Sequence, residues 1–145
     1  MNKFTEITYD KDTKTLNVGA GLTWENVYNF LEKHHPNLGV VGANPAVGVS
    51  GFLLGGGYSL LTNKHGLGMD NVVGFRVVTP HGPNGPTILD ANPRENPDLF
   101  KALKVGTLPS YHYNMAFFIL NLREEGITSG SSHVLLCGLT RTRHG

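Results

Sequence analysis

The sequence predicts an α+β fold, with short strands and helices in separate stretches on either side of one glycine-dense segment. Three observations carry this expectation. A pair of short β-favouring runs opens the chain, a 3.6-residue apolar period follows, and a second strand-then-helix pattern comes after the glycines.

Residues 4–9 and 15–20 are the β-favouring runs, and Asp10-Lys11-Asp12-Thr13-Lys14 between them has the composition of a turn. The spacing predicts a β-hairpin. Trp24, Val27, Tyr28 and Leu31 then fall at i, i+3, i+4 and i+7, with Thr23 as N-cap and Pro36 just beyond the end. They predict an amphipathic helix of roughly three turns. Its tail, Glu32-Lys33-His34-His35, is a solvated helix end rather than a metal site, because adjacent histidines face different directions and cations suit a helix C-terminus.

Seven glycines fall between Gly39 and Gly57, and no other segment is so enriched. Glycine at that density costs backbone entropy, so it belongs where the chain takes positive φ or lets something approach its backbone closely. Something flat or anionic fits, since successive backbone N–H groups in such turns hold anions without lysine or arginine. Tight packing of small residues between two layers explains the same glycines from within the fold.

Gly66 and Gly68 punctuate a turn, and 72–79 is a buried strand. Asp70-Asn71 stand before it, where short polar side chains tie the loop to the strand entry. Residues 80–86 form a turn cluster, 87–90 a short strand, and 97–104 a helix with Leu99, Phe100 and Leu103 on one face, Asn96 as cap and Pro97 at its first position.

Several function classes lack support. Twelve basic and eleven acidic residues give a net charge of +1, and 16% of the chain is charged, so no electrostatic footprint for nucleic acid or an anionic membrane exists. The lone Cys137 excludes an intramolecular disulfide and any thiolate cluster. No Gly-Lys-Ser/Thr ending marks a phosphate loop, and Trp24 occupies the third glycine position of the dinucleotide fingerprint begun by Gly19 and Gly21. Neither a Gly-x-Ser-x-Gly elbow nor a His-Glu-x-x-His pair occurs, and no metal site is expected. The longest apolar run, 115–120, is six residues, and the first ten residues lack the pattern of a signal peptide.

The stretches Val18-Gly19-Ala20-Gly21 with Trp24 and Val27-Tyr28, then VGVSGFLLGGGYSLLTNKHGLGMDNVVGFRVVTPHG, then NPDLFKALK resemble one family in order and spacing over roughly residues 4–104. It is that of the FAD-linked oxidases of the vanillyl-alcohol oxidase and p-cresol methylhydroxylase (PCMH) type, in its berberine-bridge-enzyme-like branch. The resemblance implies an incomplete FAD-binding PCMH-type domain over 1–104 and a divergent tail over 105–145. It implies FAD beside Pro45, Ala46, Val47, Gly48, Ser50, Gly51, Gly55, Gly56, Tyr58 and Ser59, with Gly66, Asn71 and Val72 next in rank. The activity implied is oxidation of an alcohol, sugar or alkaloid-like substrate by hydride transfer to flavin, with no nucleic-acid or membrane partner. Relatives in the branch are often secreted, and the compartment of this chain is left unassigned.

Four departures from the family qualify the expectation. The loop whose histidine often bonds flavin belongs before Phe4, and Asn44 stands where some members carry a flavin-linking cysteine. FAD is therefore expected to be held without a covalent link. Ser50 stands where glycine is usual, adding a side chain at the closest approach. After Lys104 the family pattern stops, so residues 105–145 are expected to be the tail of a truncated product or an intron read-through, or else a divergent folded extension. Two alternatives to an oxidoreductase stay open: a non-catalytic nucleotide-binding or interaction fragment that docks through Phe117–Leu120, unless a buried strand takes those residues, and an inactive product that does not fold stably.

Overall fold

The structure, a computed structural model, describes residues 4–82, 85–105, 116–123 and 125–126. The predicted hairpin forms from β1 (Ile7–Asp10) and β2 (Thr15–Gly19), paired antiparallel with Ile7 opposite Val18 and Asp10 opposite Thr15. Its turn is closed by the Asp10 carboxylate, which accepts from the N–H groups of Asp12 (2.9 Å) and Thr13 (3.3 Å). Gly19 is a packing glycine, because a Cβ there would lie 2.3 Å from the Phe4 carbonyl oxygen.

Helix α1 (Trp24–His34) starts and stops as its sequence predicts. The Thr23 backbone N–H donates to the Asn26 side-chain oxygen at 3.0 Å, and Trp24, Val27 and Leu31 are buried on one face. His34 is exposed at the helix end, whereas His35 packs half-buried against the Tyr9 ring at 4.5 Å, so only the first of the two is solvated. The two-residue strand β3 (Leu38–Gly39) follows.

The glycine block contains an element that composition hides, α2 (Val49–Leu54), capped by Gly48 before it and Gly55 after it. Beyond it come the one-turn helix α3 (Thr62–His65) and a 3-10 turn at Gly68–Asn71. Strands β4 (Val72–Gly82) and β5 (Gly85–Ala91) are longer than predicted. The expected turn over 80–86 shrinks because Gly82 pairs with Gly85, leaving residues 83 and 84, which lie outside the described residues. Pro86 is tolerated in β5 because β5 is an edge strand.

Helix α4 (Pro97–Val105) packs Phe100 on Phe75, ring centroids 5.8 Å apart. Asn96 takes a left-handed φ of 50° and sends its side-chain amide to the Asp90 carbonyl at 2.8 Å, so the cap comes from its backbone, which accepts from the Phe100 N–H at 3.0 Å. Strand β6 (Ala116–Arg123) lies in the middle of a five-stranded sheet ordered β1-β2-β6-β4-β5, and β7 (Glu125–Gly126) pairs with β3. The stretch 117–120 is therefore a strand bonded on both sides, to β2 and to β4. The rest of the tail lies outside the described residues.

The core runs between this sheet and the helices. Leu16, Val18, Phe75 and Val77 from the strands meet Trp24, Val27, Leu53 and Leu103 from the helices, all at most 1% exposed. Burial at that level supplies ~1.5–3 kcal/mol per large apolar side chain.

Candidate functional site

Helix α2 buries Val49 and Leu53 and leaves Gly48, Gly51 and Gly55 exposed. Positions i, i+3 and i+7 share one helix face, so these three glycines form a bare strip on the surface. A Cβ added at Gly48 or Gly51 would meet nothing within 4 Å, and at Gly55 only ordinary contact at 3.4 Å. Backbone conformation does not require glycine there either, since Gly48 and Gly55 have φ of −68° and −83°. A helix pays about 0.5–1 kcal/mol for each interior glycine relative to alanine, so Gly51 costs stability with no internal return.

The neighbouring glycines contrast with this strip. A Cβ at Gly42 would lie 2.4 Å from the Tyr28 hydroxyl and 2.6 Å from the Trp24 ring, and one at Gly57 would lie 2.9 Å from the Phe52 ring. Gly56, Gly57 and Gly66 have φ of 95°, 76° and 79°. Packing and turn geometry thus account for Gly42, Gly56, Gly57 and Gly66, and leave the strip on α2 to be explained from outside the chain.

Two loops flank the strip, and both are held by their carbonyls. The N–H groups of Trp24 and Glu25, at the start of α1, donate to the carbonyls of Val47 (3.0 Å) and Pro45 (2.9 Å). The N–H groups of Gly68 and Met69 donate to the carbonyls of Gly57 (2.8 Å) and Gly56 (3.1 Å). In a trans peptide the N–H points opposite to the C=O, and no peptide bond described is cis. The N–H groups of Ala46 and Gly48, and of Gly57 and Tyr58, are therefore turned away from the elements that grip each loop. That of Ala46 is taken by the Asn44 side chain at 3.1 Å.

Exposed apolar side chains border the strip: Val47 before it at 38% exposure, then Tyr58 at 74% and Leu60 at 73% beyond it. The surface as a whole is glycine backbone rimmed by apolar groups, and among the described residues no three His, Cys, Asp or Glu side chains gather as a metal site. No helix among the described residues is long and apolar enough to cross a membrane. Chemically, such a face can seat a flat ring and present amides to anionic oxygens.

The sequence-based candidates divide into two groups. Ala46, Val47, Gly48, Gly51, Gly55 and Tyr58 are exposed on the loops and helix just described, with Pro45 and Gly56 half-buried beside them. The others have side chains or backbone engaged within the fold. Ser50 does not add its hydroxyl to the open face, because that group donates to the Ala20 carbonyl at 3.0 Å. The Ser59 hydroxyl accepts from the Leu61 N–H at 3.3 Å, and its own N–H donates to the Thr62 hydroxyl at 2.8 Å. A Cβ at Gly66 would lie 2.9 Å from the Asp70 carboxylate, Asn71 donates to two carbonyls, and Val72 is 2% exposed. Sequence reasoning passed over Leu60 and the Gly57 amide. It also missed the i, i+3, i+7 spacing of Gly48, Gly51 and Gly55, the one signal that could have revealed α2.

Residues 1–83, more than half of the chain, match the model of the FAD binding domain family. The chain belongs to this family. Its relatives include the FAD-dependent monooxygenase yanF of Aspergillus niger, 48% identical over 107 residues, which cover 73% of this chain and 17% of yanF. Among solved structures, the wild-type BBE-like 1 protein of Physcomitrella patens is similar with a TM-score of 0.71 and 28% identity, covering 86% of this chain and 26% of that one. The glucooligosaccharide oxidase of Acremonium strictum, described with a 6-S-cysteinyl, 8α-N1-histidyl FAD, is similar with a TM-score of 0.70 and 26% identity, covering 86% of this chain and 24% of that one.

The chain thus spans about a sixth to a quarter of the length of these proteins. Both structural matches cover 86% of this chain, a larger share than residues 1–104 make up. The α+β fold and FAD as the family's cofactor agree with the resemblance seen in the sequence.

Proposed function

We propose that this chain seats FAD on the glycine strip of α2 and the two loops beside it, as part of an FAD-dependent oxidoreductase. The observation that carries the proposal is the open Cβ space at Gly48 and Gly51, where neither packing nor backbone geometry calls for glycine. A ligand approaching the backbone supplies the missing reason. The Gly48, Gly57 and Tyr58 amides are suited to the polar edge and phosphates of the cofactor, while Val47, Tyr58 and Leu60 cover its apolar surfaces.

Held there, FAD would supply the redox chemistry for oxidising an alcohol, sugar or alkaloid-like small molecule by hydride transfer, a chemistry that is the cofactor's own. The protein's part is to bind, orient and exclude water. Ala46, Val47, Gly48, Gly51, Gly55, Gly56 and Tyr58 are the proposed contacts, with Pro45 acting through its backbone. Ser50, Ser59, Gly66, Asn71 and Val72 shape the loops. FAD is held without a covalent link to Asn44, whose side chain accepts from the Ala46 N–H. The relevant partners are FAD and a small substrate, with neither nucleic acid nor membrane.

A non-catalytic interaction role without flavin is the second reading, favoured by the exposure of Tyr58 and Leu60, which suits a protein surface. Incubating the purified chain with excess FAD, desalting it and recording the visible spectrum with a thermal melt separates the two. Flavin retained near one per chain, with a raised melting temperature, supports the proposal. A colourless protein with an unchanged melt contradicts it.

A further inference from the structure

Loop 42–48 carries Val47 and Gly48 to the strip, and its shape depends on how α1 grips it. Two of the holds are backbone to backbone, Trp24 N–H to Val47 and Glu25 N–H to Pro45, and just beyond the loop the Val49 N–H donates to the Leu22 carbonyl at 3.0 Å. Among the described residues, one side-chain hydrogen bond joins α1 to this loop. The Tyr28 hydroxyl donates to the Ala43 carbonyl at 2.7 Å.

We infer that Tyr28 is a positioning residue for FAD, its hydroxyl fixing the Ala43 carbonyl and through it the presentation of Val47 and Gly48. The inference rests on the FAD reading of the site. The Tyr28 ring stacks on Trp24, which is fully buried, with centroids 6.0 Å apart and planes 26° apart, so the hydroxyl is delivered from a rigid base. Gly42 admits it, since a Cβ there would sit 2.4 Å from the same oxygen. The anchored peptide leads into Asn44, whose side chain then holds the Ala46 N–H, and the next carbonyls bound by α1 are those of Pro45 and Val47. Tyr28 thus begins a relay along the loop that ends at the strip. Burial pushes its phenol up to about 12, so the group stays a donor at any ordinary working pH.

Tyr28→Phe keeps the stacked ring and removes the donor. In the FAD-free chain, amide exchange at Ala46 and Val47 should quicken about fivefold while that at Leu31, within α1, stays unchanged, the scale of one lost hydrogen bond. FAD should bind about fivefold more weakly, with altered visible band shape. Asn44→Ala, at an exposed position further along the relay, should reproduce the FAD effects without touching the core. Unchanged exchange at Ala46 and Val47, or unchanged FAD affinity and spectrum in Tyr28→Phe, overturns the inference. If the unmodified chain leaves FAD unbound, the reading of the site fails and this role of Tyr28 with it. FAD bound equally by all three proteins rejects Tyr28 alone and leaves that reading standing.

Discussion

The side-chain amide of Asn71 donates to the carbonyl of Leu67 at 3.0 Å, and the same nitrogen reaches the His65 carbonyl at 3.1 Å. One 8% exposed side chain thereby closes the turn that brings Gly68 and Met69 against the Gly56 and Gly57 carbonyls. The family resemblance places Asn71 near flavin, and the structure gives it work inside the loop. Asn71→Ala should cost ~1–3 kcal/mol of stability, because it removes the two hydrogen bonds by which this side chain closes the turn. Chemical denaturation of the two proteins measures this directly.

Ser50 makes a comparable internal bond to Ala20, joining α2 to the end of β2. Ser50→Ala should lower stability by ~1 kcal/mol and leave FAD affinity within twofold of the parent. Paired melts and FAD titrations check both halves.

Gly42 is fixed by packing, since a Cβ added there would lie within 3 Å of both the Trp24 ring and the Tyr28 hydroxyl. Gly42→Ala should therefore destabilise the chain by ~1–3 kcal/mol, the usual cost of overpacking. The melting temperature of this variant should fall even with no FAD present.

Acid stability should depend on Asp10. Hydrogen bonds from the Thr13 side chain and from the N–H groups of Asp12 and Thr13 hold its carboxyl below the ordinary value of 3.8. A lowered folded-state value means that this contribution is present above pH 3.8 and is lost as pH falls through the folded-state value. Asp10→Asn retains an acceptor for the turn and should flatten the acid limb of the melting profile below that pH.

The hairpin, α1 and α4 were visible in the sequence because each rests on local signals: the 10–14 turn, the Thr23 cap with its 3.6-residue period, and the Asn96-Pro97 start. Helix α2 was hidden because glycines at 48, 51 and 55 erase both helix propensity and amphipathic contrast in a six-residue element. The central place of β6 was hidden for a different reason. Its partners, β2 and β4, lie far away in sequence, and no local pattern encodes a pairing that distant. At the site, family resemblance pointed to segments and not to side chains, so it could not say which of them turn inward, as those of Ser50, Asn71 and Val72 do.

The central claim is that the strip on α2 keeps its glycines for a ligand and not for the fold, and Gly51 tests it most directly. We would measure the FAD-free melt and the FAD affinity of Gly51→Ala and Gly51→Leu beside the parent chain. The account predicts that Gly51→Ala gains about 0.5–1 kcal/mol of stability without FAD, while FAD affinity falls in both variants and further in Gly51→Leu. Destabilisation of the FAD-free Gly51→Ala chain, or FAD affinity unchanged in Gly51→Leu, would contradict it.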